Sequence, residues 1–461
     1  MLSDVRVVEV QPEFTHEIAR TPLKFGAVVM DRVTFFRCRV VVENGRGQTA
    51  EGFGGIFLAD FWGFPSKVVP HEQRDQAMRL VAERYCQTIA DYGQFAHPIA
   101  IFMEHEQALR EINRAVCQEL GLAEQMPFLG ALICAAPVDA AIHDAFGNVN
   151  GICSYDGYGP EFMDWDLSRY LGPEFRGKYP AQYIRDHFLP EIPVFHLVGG
   201  LDKLTESEVD ESDPQDGRPN SLEAWIRQDG VFCLKVKLRG NDMEWDLERT
   251  LAVHEIGVRE LEKLGRNELY MSLDTNEQCH TPEYMIELLQ RLRERSPQAF
   301  DDVLYIEQPT ERDLCARRFD MRPLGKLKPV IVDESLTDLE SFELARELGW
   351  TGIALKTCKG HSADLLFVAK ASEAGMPYTV QDLTNPSLAL IHSVGLAARL
   401  YTIKGVEANS RQFFPESTRP GEREVHGAIF NVRNGVARTA SLQGTGLCYQ
   451  MDRIRALEQS A

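Results

Sequence analysis

Hydrophobic positions follow two regimes along the chain. In the first, strand-like runs come early: residues 5–10 and 33–42 alternate or run apolar, and Asn44-Gly45 is a hairpin signal leading into 48–53. Helical periodicity follows. Met78, Val81, Tyr85 and Ile89 recur at steps of three and four and mark one buried face. Further helices are expected over about 106–122 and 131–146. This order predicts a small α+β domain over 1–150.

From residue 192 short apolar runs take over, each separated from the next by a helical stretch. They fall at 194–198, 232–238, 269–273, 303–307, 330–333, 352–356, 377–381 and 405–409. Eight strands alternating with helices predict a parallel barrel over 191–414, with a doubly wound open sheet as the structural alternative. No strand is followed by a GxGxxG phosphate loop, which counts against a Rossmann fold. Residues 415–461, with a second Asn-Gly turn at Asn434-Gly435, read as a return to the first domain. Residues 151–190 are aromatic and weakly periodic and read as an insertion or connector. Residues 205–220 hold six acids and read as a mobile loop, either a solvated insertion or a lid on the C-terminal face of the barrel.

Composition narrows the partners. The 461 residues carry 49 Lys+Arg against 69 Asp+Glu, a net charge of −20. That excess of acid argues against nucleic acid and anionic membranes, both of which need a basic surface. The longest apolar stretch, 126–138, is interrupted by Pro127 and Pro137 and falls short of the roughly 20 residues that span a bilayer. The first residues show no signal peptide, and the ten cysteines form no CxxC pair. A cytoplasmic protein with reduced thiols, mostly core filler, is expected.

The strand ends carry the chemistry. The second barrel strand holds Lys235 and Lys237, the third Asp274, the fourth Glu307, the fifth Asp333-Glu334 and the sixth Lys356. Lys235 and Lys237 are two apart and share one face of their strand. Asp274, Glu307 and one of Asp333 or Glu334 sit on adjacent strands. Three carboxylates without His or Cys suit a hard divalent cation, Mg²⁺ before Mn²⁺. Lys356 lies four strands from Lys237, the full diameter of an eight-stranded barrel. A substrate carboxylate on the cation would then have its α-carbon flanked by a lysine on each side. That arrangement suits α-proton abstraction through a stabilised enolate. A lysine base must be partly neutral, and neighbouring positive charge is expected to lower its pKa.

These motifs, LKVKL (234–238), LDTN (273–276), YIEQP (305–309), VDES (332–335) and LKTCKG (355–360), resemble in order and spacing the mandelate racemase/muconate-lactonizing branch of the enolase superfamily, muconate-lactonizing-like subgroup. ENGRGQTAEGFGG (43–55) and GTGL (444–447) extend the resemblance into both termini. It implies an α/β fold: a (β/α)7β TIM-like barrel with an α+β capping domain formed by the N-terminal region and completed by 415–461. It implies Lys237 as base on one face, Lys356 as acid/base on the other, and Lys235 touching the substrate carboxylate or enolate. Asp274, Glu307 and Asp333 match the metal ligands, with Asp333 preferred over Glu334. Asn276 matches a polar group behind the ligands, and Glu407 and Asp382 fall near the substrate. A homo-oligomer acting on a small-molecule carboxylate is implied.

Racemisation or epimerisation is favoured because both flanking lysines are present. Cycloisomerisation, or dehydration by syn β-elimination, is the alternative within the superfamily. A Schiff-base aldolase or a silent ligand-binding paralogue is the alternative outside it. Two cap loops, 19–26 with Arg20 and Lys24, and 54–66 with Phe57, Phe61, Trp62 and Phe64, are candidates to close the barrel mouth. His361 reads as a surface-loop histidine. His254-Glu255 and His105-Glu106 lack the second histidine of HExxH, which excludes a zinc metalloprotease.

Overall fold

The computed structural model describes residues 1–25 and 28–460, without the side chains of 24, 25, 28 and 29. Lys24 therefore lies outside the described side chains.

The chain begins in an antiparallel sheet, β1 (Val5–Phe25), β2 (Val28–Asn44) and β3 (Thr49–Phe57), in the order β1-β2-β3. Asn44 ends β2 at the expected turn, and its side-chain oxygen accepts from the amides of Arg46 and Gln48. The helix His71–Ala90 buries Met78, Val81, Tyr85 and Ile89, the face marked by their spacing. The helix Phe128–Asn150 is buried on almost every side and lies against β2 and β3. Close approach requires glycine on the sheet: a Cβ at Gly54 would stand 2.0 Å from the carbonyl oxygen of Pro137. Long and apolar enough to cross a membrane, this helix instead has 94% of its apolar window inside the protein.

Eight parallel strands form the second layer: β4 (Glu191–Val198), β5 (Cys233–Lys237), β6 (Tyr270–Asp274), β7 (Val303–Glu307), β8 (Val330–Val332), β9 (Gly352–Lys356), β10 (Tyr378–Gln381) and β11 (Val406–Glu407). They pair in sequence order, and β11 pairs with β4, so the sheet is a closed barrel. Seven helical crossovers join them, the one between β7 and β8 reduced to Arg322–Gly325. The fold is thus a TIM-like barrel with a capping domain, and the open-sheet alternative is excluded by closure.

The tail after 415 meets both bodies. A short strand, β12 (Val436–Arg438), pairs antiparallel with the start of β4. Arg455 reaches Glu51 in the cap sheet. Residues 205–220 are pinned, unlike a free solvated loop: Lys203 holds Asp210 and Asp213, and Arg218 holds Glu416. Arg20, from the cap, donates to both oxygens of Asp216 and to Asn220.

Candidate functional site

The barrel registers bring the charged strand ends to one level. Lys237 pairs with Asp274, and Asp274 with Glu307, across β5, β6 and β7; Lys356 pairs with Gln381 across β9 and β10. Strand alternation aims Lys235, Lys237, Asp274, Glu307, Lys356 and Glu407 inward, and all are buried. Lys235, Lys237, Lys356, Asp382 and Glu407 line one small cavity together with Leu197 of β4 and Leu23 and Phe61 of the cap.

Lysines are interleaved with the carboxylates. Lys235 Nζ donates to Glu307 Oε1 at 2.7 Å and Glu407 Oε1 at 2.6 Å, with Asp274 Oδ2 at 3.2 Å. Lys237 donates to Asp274. Lys356 donates to Asp333 Oδ2 at 2.6 Å. Gln381 Nε2 donates to the second oxygen of Glu307 at 2.6 Å. Asn276 faces Asp274, donating its amide to Oδ1 at 2.7 Å and its side-chain Nδ2 to Oδ2 at 3.3 Å. Asp382 accepts from the amides of Thr384 and Asn409. Glu334 turns away from the lysines and accepts from the indole of Trp62 at 3.0 Å. Among the described residues no three carboxylate, histidine or cysteine groups surround a single point, because the ammonium groups stand between them.

The electrostatics show what this interleaving costs. Burial alone would lower Lys235, yet Glu307, Glu407 and Asp274 outweigh it and push its pKa well up. Lys356 is likewise raised against its burial, by Asp333. At Lys356 the positive neighbour Lys235 does lower the pKa, but Asp333 raises it by more. Burial raises Asp274 and Asp333 as well, but Lys237 and Lys235 hold the first far below the carboxylate range, and Lys356 and Lys359 hold the second at about 2. Three carboxyls go the other way. Burial and then Asp274 push Glu307 to about 8, burial and Glu407 push Asp382 to about 7, and burial and Asp333 push Glu334 well up.

A count explains the pattern. Were all of them ionised, six buried carboxyls (Asp274, Glu307, Asp333, Glu334, Asp382, Glu407) would exceed four buried lysines (235, 237, 356, 359) by two negative charges. The raised Glu307, Asp382 and Glu334 hold protons that offset this excess. Glu334 Oε2 is also buried without a hydrogen-bond partner. Hard oxygen donors with an excess of two charges fit one divalent cation.

One group here was missed from the sequence, Lys359, and a second, Trp62, was named only among the four aromatics of its loop. Lys359 is buried and donates to the main-chain oxygen of Asp333 at 2.6 Å and to its Oδ1 at 3.1 Å. The single 3-10 turn Thr357–Lys359 carries it back beside Lys356, and the spacing of three was its signal. Trp62, from the 54–66 loop, bonds Glu334 and lies under Lys356, whose Nζ is 4.4 Å from the ring centroid. Arg312 fixes that loop by donating to the Trp62 carbonyl at 2.9 Å while chelating Glu277. His361 is fully buried, correcting its reading as a surface residue. It belongs to a chain of hydrogen bonds of 2.7–2.9 Å running Asp139–Ser362–His143–Tyr158–His361–His392. This chain anchors the turn that follows Lys359.

Comparison with known proteins agrees with this geometry. A family model described as enolase C-terminal domain-like matches residues 219–453, more than half of the chain. The fold is shared over nearly full length with a muconate lactonizing enzyme from Pseudomonas fluorescens complexed with muconolactone (16% identity, 98% of this chain and 99% of that chain, TM-score 0.60). It is shared with an enolase from Bradyrhizobium complexed with magnesium and mandelic acid (14% identity, 99% of each chain, TM-score 0.57). A dipeptide epimerase from Enterococcus faecalis complexed with Mg and the dipeptide L-Leu-L-Tyr is also similar (16% identity, 87% and 90% coverage, TM-score 0.53). No curated protein matches by sequence. The barrel, its cap and its charged mouth define a class, the enolase superfamily of enzymes. Within it the chain belongs to the mandelate racemase/muconate-lactonizing family.

Proposed function

We propose that the barrel mouth removes the proton α to the carboxylate of a small-molecule substrate, passes through an enolate, and returns a proton from the opposite side, as a racemase or epimerase. The observation that carries this reading is a single cavity lined by Lys237 and Lys356 from strands four positions apart around the barrel. Mg²⁺, or Mn²⁺ in its place, held by Asp274, Glu307 and Asp333, would supply the charge that stabilises the enolate. Lys356 is the proton donor and Lys237 the acceptor. Lys235, held between Glu307 and Glu407, meets the substrate carboxylate. Leu23, Phe61 and Trp62 exclude water. Ligands named with the solved relatives (a dipeptide, mandelic acid, muconolactone) support a small carboxylate as substrate. Ten free thiols fit a cytoplasmic location. Self-association is tested by light scattering.

The decisive experiment incubates the protein and Mg²⁺ in heavy water with a panel of chiral carboxylates. Proton NMR and chiral chromatography are the readouts. The expected result is deuterium at the α-carbon with inversion, abolished by EDTA and reduced at least about 1000-fold in Lys237→Ala. Exchange accompanied by loss of a β-group or by ring opening reassigns the enzyme to dehydration or cycloisomerisation. Borohydride trapping of substrate on Lys237 or Lys356, with activity retained in EDTA, overturns the reading in favour of a Schiff-base aldolase. No exchange across the panel points to a ligand-binding role.

A further inference from the structure

Far along the chain from these lysines, two cysteines meet. Cys153 opens the 151–190 connector and Cys448 lies in the tail, 295 positions later, yet their sulfurs are 3.5 Å apart, with Cys448 donating to Cys153. The main chain enforces the contact. Ser154 N donates to Gly446 O at 2.7 Å, and Gly446 N donates to Ile152 O at 2.9 Å, so Cys153 is bracketed by a parallel bridge to Gly446. Cys448 follows two residues later with φ +64°, a left-handed conformation that holds the segment in a tight coil. Leu447 N, between them, is fixed by Asp144 Oδ1 at 2.7 Å.

We infer that Cys153 and Cys448 form a redox modification site, which a small-molecule disulfide oxidant closes into a reversible intramolecular disulfide. The two thiols have different roles. Cys153 is half-buried and Cys448 buried. The Cys448 hydrogen bond lowers the Cys153 pKa against its burial, helped by the Tyr155 amide and Arg399. The same contact, with burial, raises Cys448. Cys153, the member of the pair that an oxidant can reach from solvent, is the attacking thiolate. It forms a bond to one sulfur of the oxidant, whose S–S bond breaks and releases one thiolate. Cys448 then loses its proton and attacks Cys153 Sγ, expelling the second thiol. Two protein thiols are oxidised and one oxidant disulfide is reduced to two thiols. The product closes a ring of chain that encloses the whole barrel.

The test uses the full chain carrying Cys315→Ser, which removes the exposed cysteine. Folded protein is incubated with glutathione disulfide, alkylated in denaturant and digested for mass spectrometry. A peptide pair joined through Cys153 and Cys448, the loss of two titratable thiols and their return with dithiothreitol are expected. In a Cys448→Ser variant a persistent glutathione adduct on Cys153 is expected. Alkylation of both cysteines to the same extent before and after treatment overturns the inference, as does a linkage joining any other pair. The linkage in the parent protein needs neither Cys153 nor Cys448 to be changed, so misfolding of a variant cannot mask the outcome.

Discussion

At the barrel mouth Lys235 spans three carboxylates and Asp333 serves two lysines, and that sharing decides what a substitution there does. Asp333 is held by two lysines, Lys356 and Lys359, whereas Glu334, its neighbour, is held by the Trp62 indole and faces Arg312. Asp333 alone of the two shares the ammonium layer with Asp274 and Glu307, which supports its proposed place as the third metal ligand. Asp333→Asn is expected to weaken Mg²⁺ binding on the order of 100-fold, and Glu334→Gln by less than about 10-fold, since the amide oxygen still accepts from Trp62. Calorimetric titration with Mg²⁺ checks this, and a larger loss from Glu334→Gln reverses the assignment. The lysines and acids were legible in the sequence because charge at the end of an apolar strand has few structural uses. Trp62 was only one of four aromatics in its loop, and nothing local shows which one turns toward a carboxyl on a distant strand. Lys359 was passed over because a lysine just beyond a strand usually reaches solvent.

Among the elements, the helix Phe128–Asn150 does two jobs, filling the cap and fastening it to the tail. Asp144 on this helix accepts from Phe53 N on β3 and Leu447 N in the tail. Burial raises its pKa to about 7 despite those bonds. The folded state therefore keeps a proton that the unfolded chain releases near pH 4, so this group's stabilisation is complete below pH 4 and is lost as pH rises to 7. Relative to Asp144→Asn, the native protein should lose up to about 1.4 kcal/mol per pH unit across that window. Urea unfolding at pH 5 and 7 measures the difference; an equal gap at both removes the claim. The helix itself was legible over 131–146, since its apolar run is long. Its extra turns at both ends were not, because Pro127 and the Asn150-Gly151 exit act as boundaries only when the surrounding packing is known. The eight barrel strands were found nearly in full, as buried parallel strands are unbroken apolar runs. β12 was missed as a barrel partner: three residues carry no period, and its pairing depends on contact with β4.

Across the whole molecule, cap, barrel and tail are joined by buried polar bonds as well as apolar packing. Arg37 of β2 donates to Glu422 in the tail helix Pro420–Phe430 at 3.0 Å and to Ser387 in the barrel helix Ser387–Arg399 at 2.7 Å, and Ser387 donates to Glu422 at 2.6 Å. Arg37→Met leaves Glu422 buried without its cation and should cost about 3–5 kcal/mol, while Arg37→Met with Glu422→Gln should recover most of it. Chemical denaturation of the three proteins decides the matter, and a double variant as unstable as the single would sink the claim. A cap built from both ends of the chain was legible through motifs near each terminus, but this triad was not, since its members are 385 and 350 positions from Arg37. The cavity that Leu23, Phe61 and Leu197 line with the site lysines has a volume of about 40 Å³, room for roughly a few water molecules. A carboxylate with a side group exceeds that volume, so the proposed reaction needs Leu23 and Phe61 to move aside as substrate enters. An added viscogen, which does nothing to a proton transfer between fixed groups, is therefore expected to slow turnover, read as kcat against sucrose concentration; an unchanged kcat removes this expectation.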